Sequence, residues 1–175
     1  MNIVLCGMMG VGKTTVGKHL AGANGLRWVD TDELIVERYG EISAIFERFG
    51  EEYFRALETE IVKELVQEDG LVISVGGGLV LKEENVFLLK RNGKIVYLRA
   101  SVETLVGRLT ADTTRPLLKT SGESLAERIE GILTVRAPIY EGVADFTVDA
   151  EGKSPEEIAQ EILLKINKMQ GACTR

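Results

Sequence analysis

The sequence predicts a three-layer α/β domain, with a central five-stranded parallel sheet flanked by helices. Short apolar runs of strand length recur along the 175 residues. Stretches with apolar residues at helical spacing separate them, so strands and helices alternate. The first run leads directly into a glycine-rich turn and then a helical stretch, as in the opening of a βαβ unit.

Each element follows in order. "NIVLC" (2–6), "LVISV" (71–75) and the start of "KIVYLRA" (94–100) are nearly continuous in apolar residues, as strands buried on both faces should be. "RWVD" (27–30) and "ADFTVD" (144–149) complete the five. A helix is expected from Lys13 to Ala23, and another over 32–39 after the acidic start "TDE". In "EEYFRALETEIVKELVQE" (51–68), Phe54, Leu57, Ile61 and Leu65 form one helical face. Further helices are expected at 82–91, 101–110, 123–137 and 154–169, with Pro138 ending one and Ser154-Pro155 starting the last. "TADTTRPLLKTSG" (110–122) has no clear periodicity and reads as a mobile surface loop, and the closing "QGACTR" reads as disordered.

Composition narrows the function. Hydrophobic residues at 45% and charged residues at 27% fit a soluble globular chain, and the length fits one domain, expected over 1–170 with a tail at 171–175. The net charge of −6 leaves no diffuse basic surface for nucleic acid. No apolar run approaches the ~20 residues of a membrane-spanning helix, and "MNIVLCG" lacks the signature of a signal peptide. The cytoplasm is the expected location. Cys6 and Cys173 suggest neither a disulfide framework nor a zinc cluster, and Cys6 reads as a small core residue.

In "GMMGVGKTT" (7–15), Gly7, Gly12, Lys13 and Thr14 match the phosphate-loop pattern G-x-x-x-x-G-K-S/T between a strand and a helix. Such a loop turns backbone N–H groups toward a β-phosphate, and the following helix presents its positive end there. Lys13 is expected to reach the β- and γ-phosphates and the Thr14 hydroxyl to bind Mg²⁺. The ATP-binding set on this loop is Gly7, Gly10, Val11, Gly12, Lys13, Thr14 and Thr15.

The remaining motifs select among nucleotide proteins. A guanine-reading N-K-x-D is missing, because "NKMQ" (167–170) has Gln where Asp is needed. Strand 71–75 runs into "GGG" (76–78) rather than the metal-binding Asp of motor ATPases, so another group must assist the metal. "VDTD" (29–32) offers it: two residues apart on a strand, Asp30 and Asp32 leave from one face. Alternatively Asp30 ends the strand and Asp32 caps the next helix. "FRALE" (54–58) pairs Arg55 with Glu58 at helical spacing, "TTRPLL" (113–118) carries Arg115, and "RAPIY" (136–140) carries Arg136. As isolated features these read as a surface ion pair, a solvated loop charge and a cation at a helix end. His19 reads as structural and Trp28 as packing.

Taken in order, "GMMGVGKTT", "DTD", "FRALE", "GGG", "RPLL" and "RAPIY" resemble the motif series of shikimate kinases, from residue 1 to about 165. The resemblance implies a P-loop kinase fold and transfer of the γ-phosphate of ATP to the 3-hydroxyl of shikimate, with Mg²⁺ as cofactor. It implies that Asp30 organises Mg²⁺ near the attacking hydroxyl and that Asp32 binds ring hydroxyls. Arg55 and Arg136 would bind the shikimate carboxylate, Glu58 would hold Arg55, and Gly76, Gly77 and Gly78 would line the pocket. Arg115 would come from a lid at about 109–122 and Arg108 would lie against adenine, with Lys153 to Pro155 opposite. The substrate-binding segment would span about 32–62. A monomer binding ATP and shikimate, and neither nucleic acid nor membrane, is implied. A gluconate or nucleoside monophosphate kinase, or a nucleotide-binding module without catalysis, are the alternatives.

Overall fold

The computed structural model describes residues 1–111 and 124–172. Five strands form one parallel sheet in the order β2-β3-β1-β4-β5: β1 (Asn2–Cys6), β2 (Arg27–Asp30), β3 (Leu71–Ser74), β4 (Gly93–Arg99) and β5 (Phe146–Asp149). Every residue of β1 and β3 is buried, which explains their unbroken apolar character. Helices cover both faces. On one, Ile3 and Leu5 pack with Leu20 of α1 (Lys13–Asn24), Leu105 of α5 (Val102–Ala111) and Ile162 of α7 (Pro155–Ala172). On the other, Val4, Cys6 and Ile73 meet Ile35 of α2 (Thr31–Tyr39), Ile61 of α3 (Ile42–Leu65), Leu89 of α4 (Glu83–Asn92) and Tyr140 of α6 (Leu125–Val143). Each such side chain, removed from water, contributes about 1.5–3 kcal/mol.

Three expectations need correction. Pro138 lies inside α6 instead of ending it. The Thr134 carbonyl that a proline cannot bond lies on an exposed stretch where water can serve it, while buried Tyr140 draws the chain onward into the core. Helix α3 spans Ile42–Leu65: the helix expected from residue 51 is its second piece, which ends at Leu65 rather than Glu68, and the piece before it was not expected. Gly50, at φ 81° and ψ 175°, breaks it into two helical pieces. Ile42, Ile45, Phe46 and Phe49 already carry helical spacing in the sequence. Finally, α7 runs to Ala172, into the stretch expected to be disordered.

Register positions the rest. Leu5 and Asp30 both pair with Ser74, so β1, β2 and β3 end level with one another. The phosphate-loop pattern, the aspartates and "GGG" therefore leave the sheet at the same edge, the carboxyl end where ligands of open α/β sheets bind.

Candidate active site

At that edge lies a cleft of about 1110 Å³. Gly10, Val11, Gly12, Lys13, Thr14 and Thr15 line it at one end, with Arg108 and Lys153. Asp30, Asp32, Arg55, Glu58, Gly76, Gly77, Gly78 and Arg136 also line it. Gly7 is buried beside them, and its carbonyl accepts from Lys13 Nζ at 2.9 Å. The cleft thus gathers the expected residues, except that Arg115 and the expected lid from residue 112 onward lie outside the described residues.

The loop after β1 is shaped by its backbone. Gly7 has φ 139°, and a Cβ built there would stand 2.5 Å from the Leu98 carbonyl oxygen, so a side chain is excluded on two counts. Helix α1 then starts at Lys13 without a side-chain cap, leaving its first N–H groups directed at the cleft. Lys13 Nζ also donates to the Met8 carbonyl at 3.2 Å. Trp28 Nε1 donates to Ser74 Oγ at 3.0 Å, and Ser74 Oγ donates to the Lys13 carbonyl at 3.1 Å, a relay that ties α1 to β2 and β3. Trp28 is packing, as expected, and would collide with any side chain at Gly17. Arg108 bridges the Val11 carbonyl at 2.7 Å and the Ala150 carbonyl at 3.3 Å. Lys153 pairs with Glu161 at 2.6 Å.

Asp30 and Asp32 do not share a strand face, because the chain turns into α2 at Thr31. Asp30 is itself the cap: its Oδ1 accepts from the Asp32 N–H at 3.0 Å. Its Oδ2 accepts from Thr14 Oγ1 at 3.1 Å, joining the carboxylate to the loop. One hydroxyl and one carboxylate are a fitting protein share for Mg²⁺, which takes its other ligands from phosphate and water. Among the described residues there is no cluster of three or more His, Cys, Asp or Glu that would form an all-protein cage.

The Arg55–Glu58 pair is no surface pair. Glu58 is 1% exposed and its Oε2 accepts from Arg55 Nη1 at 2.7 Å. Burial pushes its carboxyl up to about 7, against the Arg55 hydrogen bond, which lowers it. Glu51, one turn earlier, accepts from Arg55 Nη2 at 2.9 Å and Nε at 3.2 Å. Gly78 makes room for this group: a Cβ there would stand 2.5 Å from Arg55 Nη1. Arg136 projects from the body of α6, not from its end, so it does not serve the helix dipole.

Other residues take unexpected places. His19 is exposed on α1, so it supports no core. Cys6 is the core residue expected, and burial pushes its thiol up to about 12, which leaves it protonated. Ser74, Glu51 and Tyr140 were not singled out from the sequence. Buried Thr31 is another: its hydroxyl accepts from the Gly76 N–H at 3.0 Å and pins the glycine turn to α2. Tyr140 and Glu51 had a usable signal, each four residues from an expected arginine and so on the same helical face.

The fold and cleft together define a small P-loop kinase. A profile of the shikimate kinase family matches residues 9–167. A shikimate kinase of Thermodesulfovibrio yellowstonii is 45% identical over 174 residues, covering 99% of each chain. The solved shikimate kinase from Acinetobacter baumannii in complex with shikimate matches with TM-score 0.88 and 39% identity, over 95% of this chain and 93% of that one. The chain belongs to the shikimate kinase family, whose members are ATP-dependent phosphotransferases. A gluconokinase from Sinorhizobium meliloti matches at TM-score 0.67 and 20% identity, over 96% of this chain and 92% of that one, a likeness of fold alone.

Proposed function

We propose that this protein transfers the γ-phosphoryl group of ATP to the 3-hydroxyl of shikimate, giving shikimate 3-phosphate and ADP, a step of aromatic amino acid biosynthesis. The observation that carries the reading is one cleft lined both by the phosphate loop and by two arginines that α3 and α6 supply. Shikimate is a carboxylate bearing three hydroxyls. Arginine suits the carboxylate through paired parallel bonds, and aspartate suits the hydroxyls as an acceptor.

In this reading the loop amides of residues 7–15 and Lys13 hold the β- and γ-phosphates. Arg108 and the Lys153–Pro155 turn take the adenine from two sides. Arg55, kept in place by Glu58, and Arg136 grip the acceptor carboxylate, Asp32 takes ring hydroxyls, and the backbone of Gly76–Gly78 closes the floor. Thr14 and Asp30 would hold Mg²⁺, which when bound neutralises phosphate charge. The acceptor oxygen forms its bond to γ-phosphorus as the β–γ bridging bond breaks, and its proton passes to Asp30 or to water. A loose transition state asks little of that base and much of positioning and positive charge. Residues 32–62 act as the acceptor segment, and the family likeness supports a phosphate-binding role for Arg115, which lies outside the described residues. The family likeness also supports a cytoplasmic monomer.

The test is ADP release by the purified protein with Mg-ATP and shikimate, gluconate or AMP in turn. Stimulation by shikimate alone is the expected result, and none at millimolar shikimate would overturn the proposal.

A further inference from the structure

Tyr140 is 0% exposed, and its ring packs among Val4, Cys6 and Val75 with Tyr97 at 5.2 Å between centroids. Phenylalanine would fill that space equally well. The hydroxyl, however, extends toward the cleft and donates to the Gly77 carbonyl at 2.5 Å. Arg136, four residues earlier on α6, lies beside it. A Cβ built at Gly77 would be 3.6 Å from Arg136 Nη1, from the Tyr140 hydroxyl and from the Gly7 carbonyl. That last oxygen is the one that accepts from Lys13. The cleft arginine, the glycine turn and the phosphate loop therefore converge where the tyrosine hydroxyl ends.

The two arginines are also held differently. Glu51 and Glu58 fix Arg55, whereas Arg136 makes no ion pair with a described residue. Burial raises the Tyr140 pKa, against the lowering effect of Arg136, so the hydroxyl remains a donor at neutral pH. A protonated, buried phenol fastened to the Gly77 carbonyl is a fixed wall for a guanidinium that forms no ion pair among the described residues.

We infer that Tyr140 is a positioning residue for the acceptor, setting the Gly77 carbonyl and the Arg136 guanidinium in one arrangement through its hydroxyl. This rests on reading Gly77 and Arg136 as acceptor-binding groups. Tyr140 itself does not line the cleft, whereas Gly77 and Arg136 do, so its influence acts through them and falls on acceptor affinity.

The test is Tyr140→Phe in the full chain, with kcat, both KM values and the thermal midpoint measured by ADP release and melting. The shikimate KM should rise about tenfold, the scale of one lost hydrogen bond, with the ATP KM within about twofold. In an Arg136→Lys background the same change should move the shikimate KM less than about twofold, because the hydroxyl then has no guanidinium to set. An unchanged shikimate KM, equal effects on both substrates, or equal effects in both backgrounds would overturn the inference. Wild-type protein without shikimate-dependent turnover would overturn the proposed function itself, whereas active wild type with an indifferent Tyr140→Phe overturns the positioning role alone.

Discussion

Along the donor side of the cleft, one unbroken stretch, residues 7–15, supplies the phosphate loop, and its shape comes from backbone conformation at Gly7, Gly10 and Gly12. Across from it, Asp32, Arg55, Glu58, Gly76 and Arg136 arrive from α2, α3, the turn after β3, and α6. The donor half is local and depends on dihedral angles. The proposed acceptor half is assembled by tertiary packing and depends on buried polar contacts such as Thr31 to Gly76 and Tyr140 to Gly77. Damage to the first should therefore appear in turnover, and damage to the second in acceptor affinity.

The sharpest break is expected at Lys13. Lys13→Ala should lower kcat on the order of 10²–10³-fold, the loss typical of one preorganised charge at the transition state. Calorimetric shikimate binding should stay within about twofold. A parallel loss of shikimate binding would erase the division between the halves.

Glu58 gives a pH test of the acceptor side. Its carboxyl is raised from an ordinary 4.5 to about 7 by burial, so between those values the folded protein holds a proton that the unfolded chain releases. The stabilisation this confers is complete below about pH 4.5 and is lost as pH rises through about 7. Glu58→Gln has no such titration, so its stability relative to wild type should grow by about 2–3 kcal/mol from pH 5 to pH 8. Parallel denaturation profiles would show that Glu58 is already ionised at pH 5.

Arg55→Lys should raise the shikimate KM about tenfold with little change in the ATP KM, because an ammonium loses the planar paired geometry. Unchanged affinity would reduce Arg55 to a partner of Glu51 and Glu58. The smallest effect is expected at Glu51, which is mostly exposed and whose bonds to Arg55 are screened by water. Glu51→Gln should alter the shikimate KM by no more than about threefold and the thermal midpoint by no more than about 2 °C. A larger change would make Glu51 a full member of the acceptor site.

The same contrast governs what could be read from the sequence. Strand positions were legible because double-sided burial leaves unbroken apolar runs, and the phosphate loop because its glycines and lysine are contiguous. Arg55, Glu58 and Arg136 became legible only as an ordered series, since each resembles an ordinary surface charge on its own. Ser74 and Thr31 were not legible. They are small hydroxyl residues whose partners, the Lys13 carbonyl and the Gly76 amide, are backbone atoms brought near only by folding. Pro138 misled for a related reason: local propensity favours a helix end, and burial of Tyr140 beyond it overrides that preference.

The strand order sets a timetable for synthesis. Strand β1 leaves the ribosome first, yet its two neighbours in the sheet are β3 at Leu71–Ser74 and β4 at Gly93–Arg99. The apolar segment "NIVLC" therefore waits for most of the first hundred residues before both its edges are paired, and Arg108 cannot close on Ala150 until later still. A nascent chain halted before β4 carries an open, water-averse edge, the kind of surface that holdase chaperones bind and that self-associates in their absence.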